Sequence, residues 1–227
     1  LATAGTAEWN CLGIWGAFEG ESVSGGIVYA SGSNGGFCYA TVSGGQITAT
    51  GNTAAFQAGC EIDSNFTVCV YAGNDEDGAT EVTNPTADTY ANKYVKIVPA
   101  YPVWVGGEQF TSEKLSIEGA TGTATYDPES KTLTLNNFSH TSEGYKFNPW
   151  LGSASIYATL EHLTVNFVGS NTVACSAENG YALYNYGALT ITTDDTNGSL
   201  ALTGDGAGIW VSGNLIINGC QVNATGI

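Results

Sequence analysis

The chain has 227 residues, 43% of them hydrophobic and only 11% charged, and its 21 acidic residues face five lysines and no arginine, for a formal charge of −16. That balance excludes a phosphate-backbone binder, which needs clustered Lys and Arg, and argues against docking on anionic lipid. An aromatic content of 11% is too high for a disordered chain, and no apolar run approaches the roughly eighteen residues of a membrane span.

Neither nucleic acid nor membrane insertion is therefore expected. With no methionine and no basic, apolar leader, the chain reads as a mature form or an excised segment. Its 31 glycines, five prolines and recurrent short runs of Thr, Val, Ile and Tyr predict many brief strands joined by turns.

In chain order, the first matched elements are Ser24–Ala30 (SGGIVYA) and Ser43–Ala49 (SGGQITA), 19 residues apart, with Asn218–Ala224 (NGCQVNA) as a third copy. Cys38 and Cys60 lie 22 apart, close to one such coil, and are expected as stacked neighbours, either bridged or as small buried apolar residues. The six cysteines, at 11, 38, 60, 69, 175 and 220, form no CxxC pair, so a zinc ribbon is unsupported while three disulfides are open to an exported chain. Asn74–Asp77 before Gly78 holds alternating carboxylates, Asp75 and Asp77. The twelve-residue helix-loop-helix calcium pattern fails, since its first and last positions are Gly73 and Asn84, which leaves a looser surface Ca2+ site or a solvated turn. Ala87–Ala91 is the best helical window, and it is short.

From residue 157 onward the chain repeats every 26 residues. Tyr157, Leu183 and Ile209 align, as do Leu163, Leu189 and Leu215, and Val165, Ile191 and Ile217. Thr164, Thr190 and Ile216 then occupy the opposite strand face, because side chains alternate with period two. Such self-similarity predicts stacked coils whose Leu, Ile and Val form ladders along an axis. A β-sandwich with evenly spaced strands is the competing architecture. In this register Tyr184 and Trp210 hold one position of successive coils and point outward. With Tyr186, Tyr145 and Trp150 they could form a platform for the apolar faces of sugars, unless a loop or partner covers them.

Catalytic signals are weak. Asp194, Asp195 and Asp205 could contribute to a glycosidase carboxylate group, but Asp-Asp-Thr-Asn-Gly is what a turn requires. A β-elimination lyase needs a strong base, and the lysines at 93, 96, 114, 131 and 146 read as solubilising edge residues. His140 and His162 lack metal or nucleophile partners and read as surface or turn histidines.

Val103-Trp104-Val105-Gly106-Gly107, Thr125-Tyr126-Asp127-Pro128, Leu133-Thr134-Leu135-Asn136-Asn137 and the coils GALTI and GNLII resemble a family of bacterial cell-surface repeat domains. Tyr71-Ala72-Gly73 through Lys93-Tyr94-Val95-Lys96-Ile97 resembles the closing segment of the same domain. The resemblance implies an all-β, right-handed parallel β-helix (β-solenoid) of the pectate-lyase-like type, among whose relatives are carbohydrate-binding domains. The order is permuted, since the closing KYVKI precedes the opening VWVGG. Residues 1–99 are accordingly expected to be a C-terminal-type half with its closing strand, and residues 100–227 an N-terminal-type half with opening strands and 26-residue coils. Either a tandem array is cut out of phase, coils dock between neighbouring chains, or two short solenoids are joined near Pro99–Pro102. The implied function is a secreted or surface-attached, non-catalytic repeat that binds a polysaccharide or cell-surface glycan, with adjacent repeats or copies of itself as further partners. A filament or stalk subunit and a calcium-dependent lyase or glycoside hydrolase are the alternatives.

Overall fold

The computed structural model describes residues 2–3, 12–15, 22–57, 59–83, 85–148 and 152–227. These residues are all-β apart from one four-residue helix, and the chain folds as two compact units, Leu1–Ala100 and Tyr101–Ile227.

In the first unit β1 (Ala2–Thr3), β2 (Leu12–Trp15), β3 (Ser22–Gly32), β4 (Gly35–Cys38), β5 (Thr41–Gly51), β6 (Ala54–Phe56) and β7 (Glu61–Ile62) follow one another. β3 and β5 are parallel, with Val28 beside Ile47 and Ala30 beside Ala49, the 19-residue offset of the two SGG segments. β4 and β6 keep the offset, with Phe37 beside Phe56, and these rings stack at 5.1 Å. The alternation of the strands sends Ala30, Ile47 and Ala49 inward to join Phe37 and Val42 in one buried cluster. The corner between β3 and β4 admits only glycine: a Cβ on Gly36 would stand 2.7 Å from the Ala30 carbonyl oxygen and 2.9 Å from Thr50 N.

β8 (Val68–Gly73), β9 (Thr80–Glu81), the helix α1 (Ala87–Tyr90) and β10 (Tyr94–Val105) complete the unit. The start of α1 is fixed in part by the Thr86 amide, which donates to Thr89 Oγ1 at 3.0 Å. The KYVKI part of β10 runs antiparallel to β5 on one side, Ile97 beside Ile47, and to β8 on the other, Ile97 beside Val70. An antiparallel strand thus ends the parallel run.

β10 carries the chain into the second unit, where Val103–Val105 pairs antiparallel with β16 (Gly152–Ala158). Before β16 come β11 (Glu108–Thr111), β12 (Ser116–Glu118), β13 (Thr121–Asp127), β14 (Thr132–Ser142) and β15 (Tyr145–Asn148), of which β12, β13 and β14 form an antiparallel meander. After it come β17 (His162–Val168), β18 (Ser170–Cys175), β19 (Tyr181–Asn185), β20 (Ala188–Thr192), β21 (Ser199–Gly204), β22 (Ala207–Val211), β23 (Leu215–Asn218) and β24 (Gln221–Gly226). These strands pair in parallel along three lines, β16-β19-β22, β14-β17-β20-β23 and β14-β18-β21-β24.

Leu163, Leu189 and Leu215 stand side by side, as do Val165, Ile191 and Ile217, while Thr164, Thr190 and Ile216 take the other face. Leu163, Leu189, Val165 and Ile191 are 0% exposed, each contributing about 1.5–3 kcal/mol of burial. Polar groups are buried here too, among them Asn171 and Asn185. Asn171, 1% exposed, accepts from Phe138 N at 2.8 Å and donates to the carbonyls of Val168 and Gly169, both at 3.0 Å. It thereby satisfies the backbone where β14 and β18 turn their corners.

Two expectations need correction. Tyr157 does not align with Leu183: Ile156 does, and Tyr157 lies beside Tyr184. The cause is one extra residue in the link from β16 to β17, where Thr159, Leu160 and Glu161 stand against only Tyr186 and Gly187 in the next coil; with a side-chain period of two, a one-residue slip exchanges faces. The three-disulfide framework does not form, since Cys60, Cys175 and Cys220 are free thiols that fill space as small apolar groups. Cys38 and Cys60 are therefore not bridged, and Cys11 lies outside the described residues.

Candidate functional site

The 27-residue step from Tyr157 to Tyr184 builds the most distinctive surface of the second unit. Trp104 on β10, Tyr157 on β16, Tyr184 on β19 and Trp210 on β22 are register partners on four adjacent strands. Their rings follow one another at 5.4, 5.6 and 4.1 Å, the last pair stacked within 10°. These spacings bracket the natural separation of neighbouring strands, so the sheet itself positions the file.

β15 lays a second row on the first. Tyr145 stacks on Trp104 at 4.6 Å, and Phe147 stacks on Tyr157 at 4.8 Å while meeting Tyr184 at 4.5 Å. Tyr186 stands edge-on to Tyr184 and Trp210. The consequence is a floor and a rim. Tyr157 and Tyr184 are only 7% and 6% exposed, whereas Tyr186 is 57% exposed; Trp104, Tyr145, Phe147, Tyr181 and Trp210 are half-buried. Burial, with neighbouring Tyr186 and Tyr157 adding to it, pushes the Tyr184 phenol up to about 12.

Of the five predicted platform residues, the structure brings Tyr184, Tyr186, Trp210 and Tyr145 into this cluster, and Trp150 lies outside the described residues. Tyr184 faces away from the aliphatic interior as expected, but Phe147 covers it, so it supports the surface rather than forming it. Trp104, Tyr157, Phe147 and Tyr181 are additional members. Trp104 was legible only as part of VWVGG, and Tyr157 was hidden by the extra residue in its coil.

The acidic candidates are occupied in turns. Asp195 accepts from Gly169 N at 2.9 Å and Asn197 N at 3.0 Å, and these donors hold its carboxyl below the usual range. Asp205 accepts from Asn179 N at 2.7 Å. In the first unit Asp75 accepts from Gly78 N at 2.8 Å and lines a cleft of about 340 Å³ together with Glu76 and Lys93. Asp77 does not line it, and a lysine opposes a cation there. Among the described residues no three His, Cys, Asp or Glu side chains converge to hold a metal ion.

The histidines differ from each other. His162 is exposed and bonds Thr190 Oγ1 at 2.9 Å, whereas His140 stacks on Phe138 at 5.6 Å with Nε2 buried and unpartnered. The expectation of a surface residue holds in part for His140, which is half-buried: its Nε2 lies beneath Gly106, where a Cβ would crowd it.

No family model, curated protein or solved structure matches the chain.

Proposed function

We propose that the second unit is a right-handed parallel β-helix of a secreted or surface-attached protein, and that its ring face binds an extracellular glycan without altering it. The parallel offset of 26 residues between successive coils supports the architecture. The observation that carries the binding is the rim: Tyr186, 57% exposed, beside the half-buried Trp210 at the end of a four-ring file. Sugar rings present flat C–H faces that pack on aromatic rings, and a supported file offers several such contacts in a line. Each contact is weak, and repetition along a polysaccharide raises the avidity.

A non-catalytic role is supported by Asp195 and Asp205, whose carboxylates are held by backbone amides. The experiment is a glycan array followed by tryptophan-fluorescence titration of the captured sugar. Trp210→Ala and Tyr186→Ala should each weaken binding at least tenfold with the far-ultraviolet circular dichroism unchanged. Binding unaffected by both would refute the ring face, and new reducing ends or an unsaturated product would establish the enzyme alternative.

The filament alternative is favoured by a separate observation. On the last coil Leu215 and Ile217 are 43% and 46% exposed although their counterparts one coil back, Leu189 and Ile191, are buried.

A further inference from the structure

One five-residue motif occurs once in each unit. The chain holds four Asn-x-Ser/Thr sequences, at Asn65, Asn137, Asn197 and Asn223, the pattern that accepts an asparagine-linked sugar when x is not proline. Two of them carry an aspartate two residues before the asparagine: Asp63-Ser64-Asn65-Phe66-Thr67 in the first unit and Asp195-Thr196-Asn197-Gly198-Ser199 in the second.

These two segments fold alike. The first links β7 to β8 and the second links β20 to β21. In each, the aspartate carbonyl accepts from the residue three positions on, Phe66 N and Gly198 N, both at 2.9 Å. In each, the aspartate carboxylate accepts from the asparagine backbone amide, Asn65 N at 2.8 Å and Asn197 N at 3.0 Å. The asparagine therefore holds the same corner of the same turn, and it is exposed both times. At Asn65 the side-chain nitrogen also donates to Asp63 Oδ1, at 3.0 Å, so a carboxylate faces the atom that would carry the sugar.

Turn chemistry accounts for the aspartate and the asparagine but not for the hydroxyl two residues later. Among the described residues neither Thr67 Oγ1 nor Ser199 Oγ bonds to its own turn, and Ser199 Oγ donates to Ser170 Oγ at 3.4 Å instead. The remaining two sequences lie inside strands, Asn137 in β14 and Asn223 in β24. Asn137 Nδ2 donates to Asn136 Oδ1 at 2.9 Å while its Oδ1 lies against Gly169, and Asn223 is paired beside Ala201. An enzyme that draws its acceptor into a cleft can reshape a surface turn without breaking a sheet ladder. The two turns offer that, and the two strands do not.

We propose that Asn65 and Asn197 are acceptor sites for asparagine-linked glycosylation, one on each unit. Nδ2 attacks the anomeric carbon of a sugar carried on a lipid pyrophosphate. The new N–C bond forms as the C–O bond to the pyrophosphate breaks; the lipid pyrophosphate leaves with the bonding electrons, and the amide releases one proton. This rests on the exported protein proposed above, since such transfer is made to exported chains.

The test incubates the purified, folded whole chain with a bacterial oligosaccharyltransferase, of the kind that requires an acidic residue two before the asparagine, and its lipid-linked oligosaccharide. Intact-mass spectrometry should show two added glycans, and peptide mapping should place them at Asn65 and Asn197. Asn65→Gln and Asn197→Gln should each remove one glycan, and together both. Thr67→Ala and Ser199→Ala should do the same at their own sites, whereas Thr67→Ser should keep its glycan. If circular dichroism shows Asn197→Gln misfolded, Ser199→Ala replaces it, because it leaves Asp195 bonded to Gly169 N. A bare chain, glycans added only after unfolding in urea, or glycans at Asn137 or Asn223 in place of the two turns would overturn the proposal. Bareness at Asn65 or at Asn197 alone would overturn that site. The reaction uses purified chain, so its failure leaves the sugar-binding reading standing, and that reading fails separately on the glycan array.

Discussion

The covered coil β19-β20-β21 and the last coil β22-β23-β24 are built alike and stabilised differently. Leu189 and Leu215 hold the same place, yet one is 0% and the other 43% exposed. Likewise Tyr184 is 6% exposed under Phe147, while Trp210, its partner one coil on, is half-buried. In a stacked architecture a side chain's contribution is set by whether a coil follows it, because each coil buries the apolar face of its neighbour.

The sharpest way to break this comparison is to truncate both leucines. Leu189→Ala should cost about 2–5 kcal/mol in urea unfolding and Leu215→Ala less than about 1 kcal/mol. Equal losses would mean that the last coil is as well covered as the one before it. Next in size is Asn171→Leu, which copies Leu200, its register partner in the following coil. It leaves Phe138 N buried without an acceptor, so about 1–3 kcal/mol should be lost despite the apolar gain.

A smaller effect separates the two rings by pH. The Tyr184 proton is held up to about 12 in the folded chain, whereas an unfolded tyrosine releases it near 10. Between those values the unfolded state binds fewer protons, so stability is full below about pH 10 and falls as pH rises toward about 12. Tyr184→Phe should flatten that fall in urea melts compared at about pH 9 and about pH 11. Tyr126, pushed up to about 12 by its own burial and by neighbouring Tyr101 and Asp127, should keep part of it. An unchanged slope would place Tyr184 in solvent. Smallest of all should be the stability cost of Trp210→Ala, under about 1 kcal/mol for a half-covered ring, even though the same change should weaken the proposed sugar binding at least tenfold.

Much of the parallel stacking was legible because it rests on local alternation. Leu163, Leu189 and Leu215 repeat at a fixed spacing, and the two SGG segments announce β3 beside β5. What stayed hidden depends on link length and on contacts distant in sequence. One extra residue between Tyr157 and Leu163 conceals Tyr157 as a ring of the aromatic file, since period-two alternation turns a single insertion into a change of face. The covering of Tyr184 was equally invisible, because Phe147 arrives from a strand 37 residues earlier that is not part of the repeat. Turn chemistry carried Asp195 correctly, while nothing in the sequence around His140 marks its Nε2 as buried.

Cysteine pairs on the outer face test the single-file stacking most directly. Thr164 and Thr190 are register neighbours, as are Thr190 and Ile216. Oxidation followed by peptide mapping should therefore join cysteines placed at 164 and 190, or at 190 and 216, since adjacent strands lie about 4.8 Å apart and a disulfide spans about 4.4–6.8 Å between Cα atoms. A pair at 164 and 216 is two strands apart and should remain reduced. Cross-linking at 164 and 216 with none at 164 and 190 would contradict the stack.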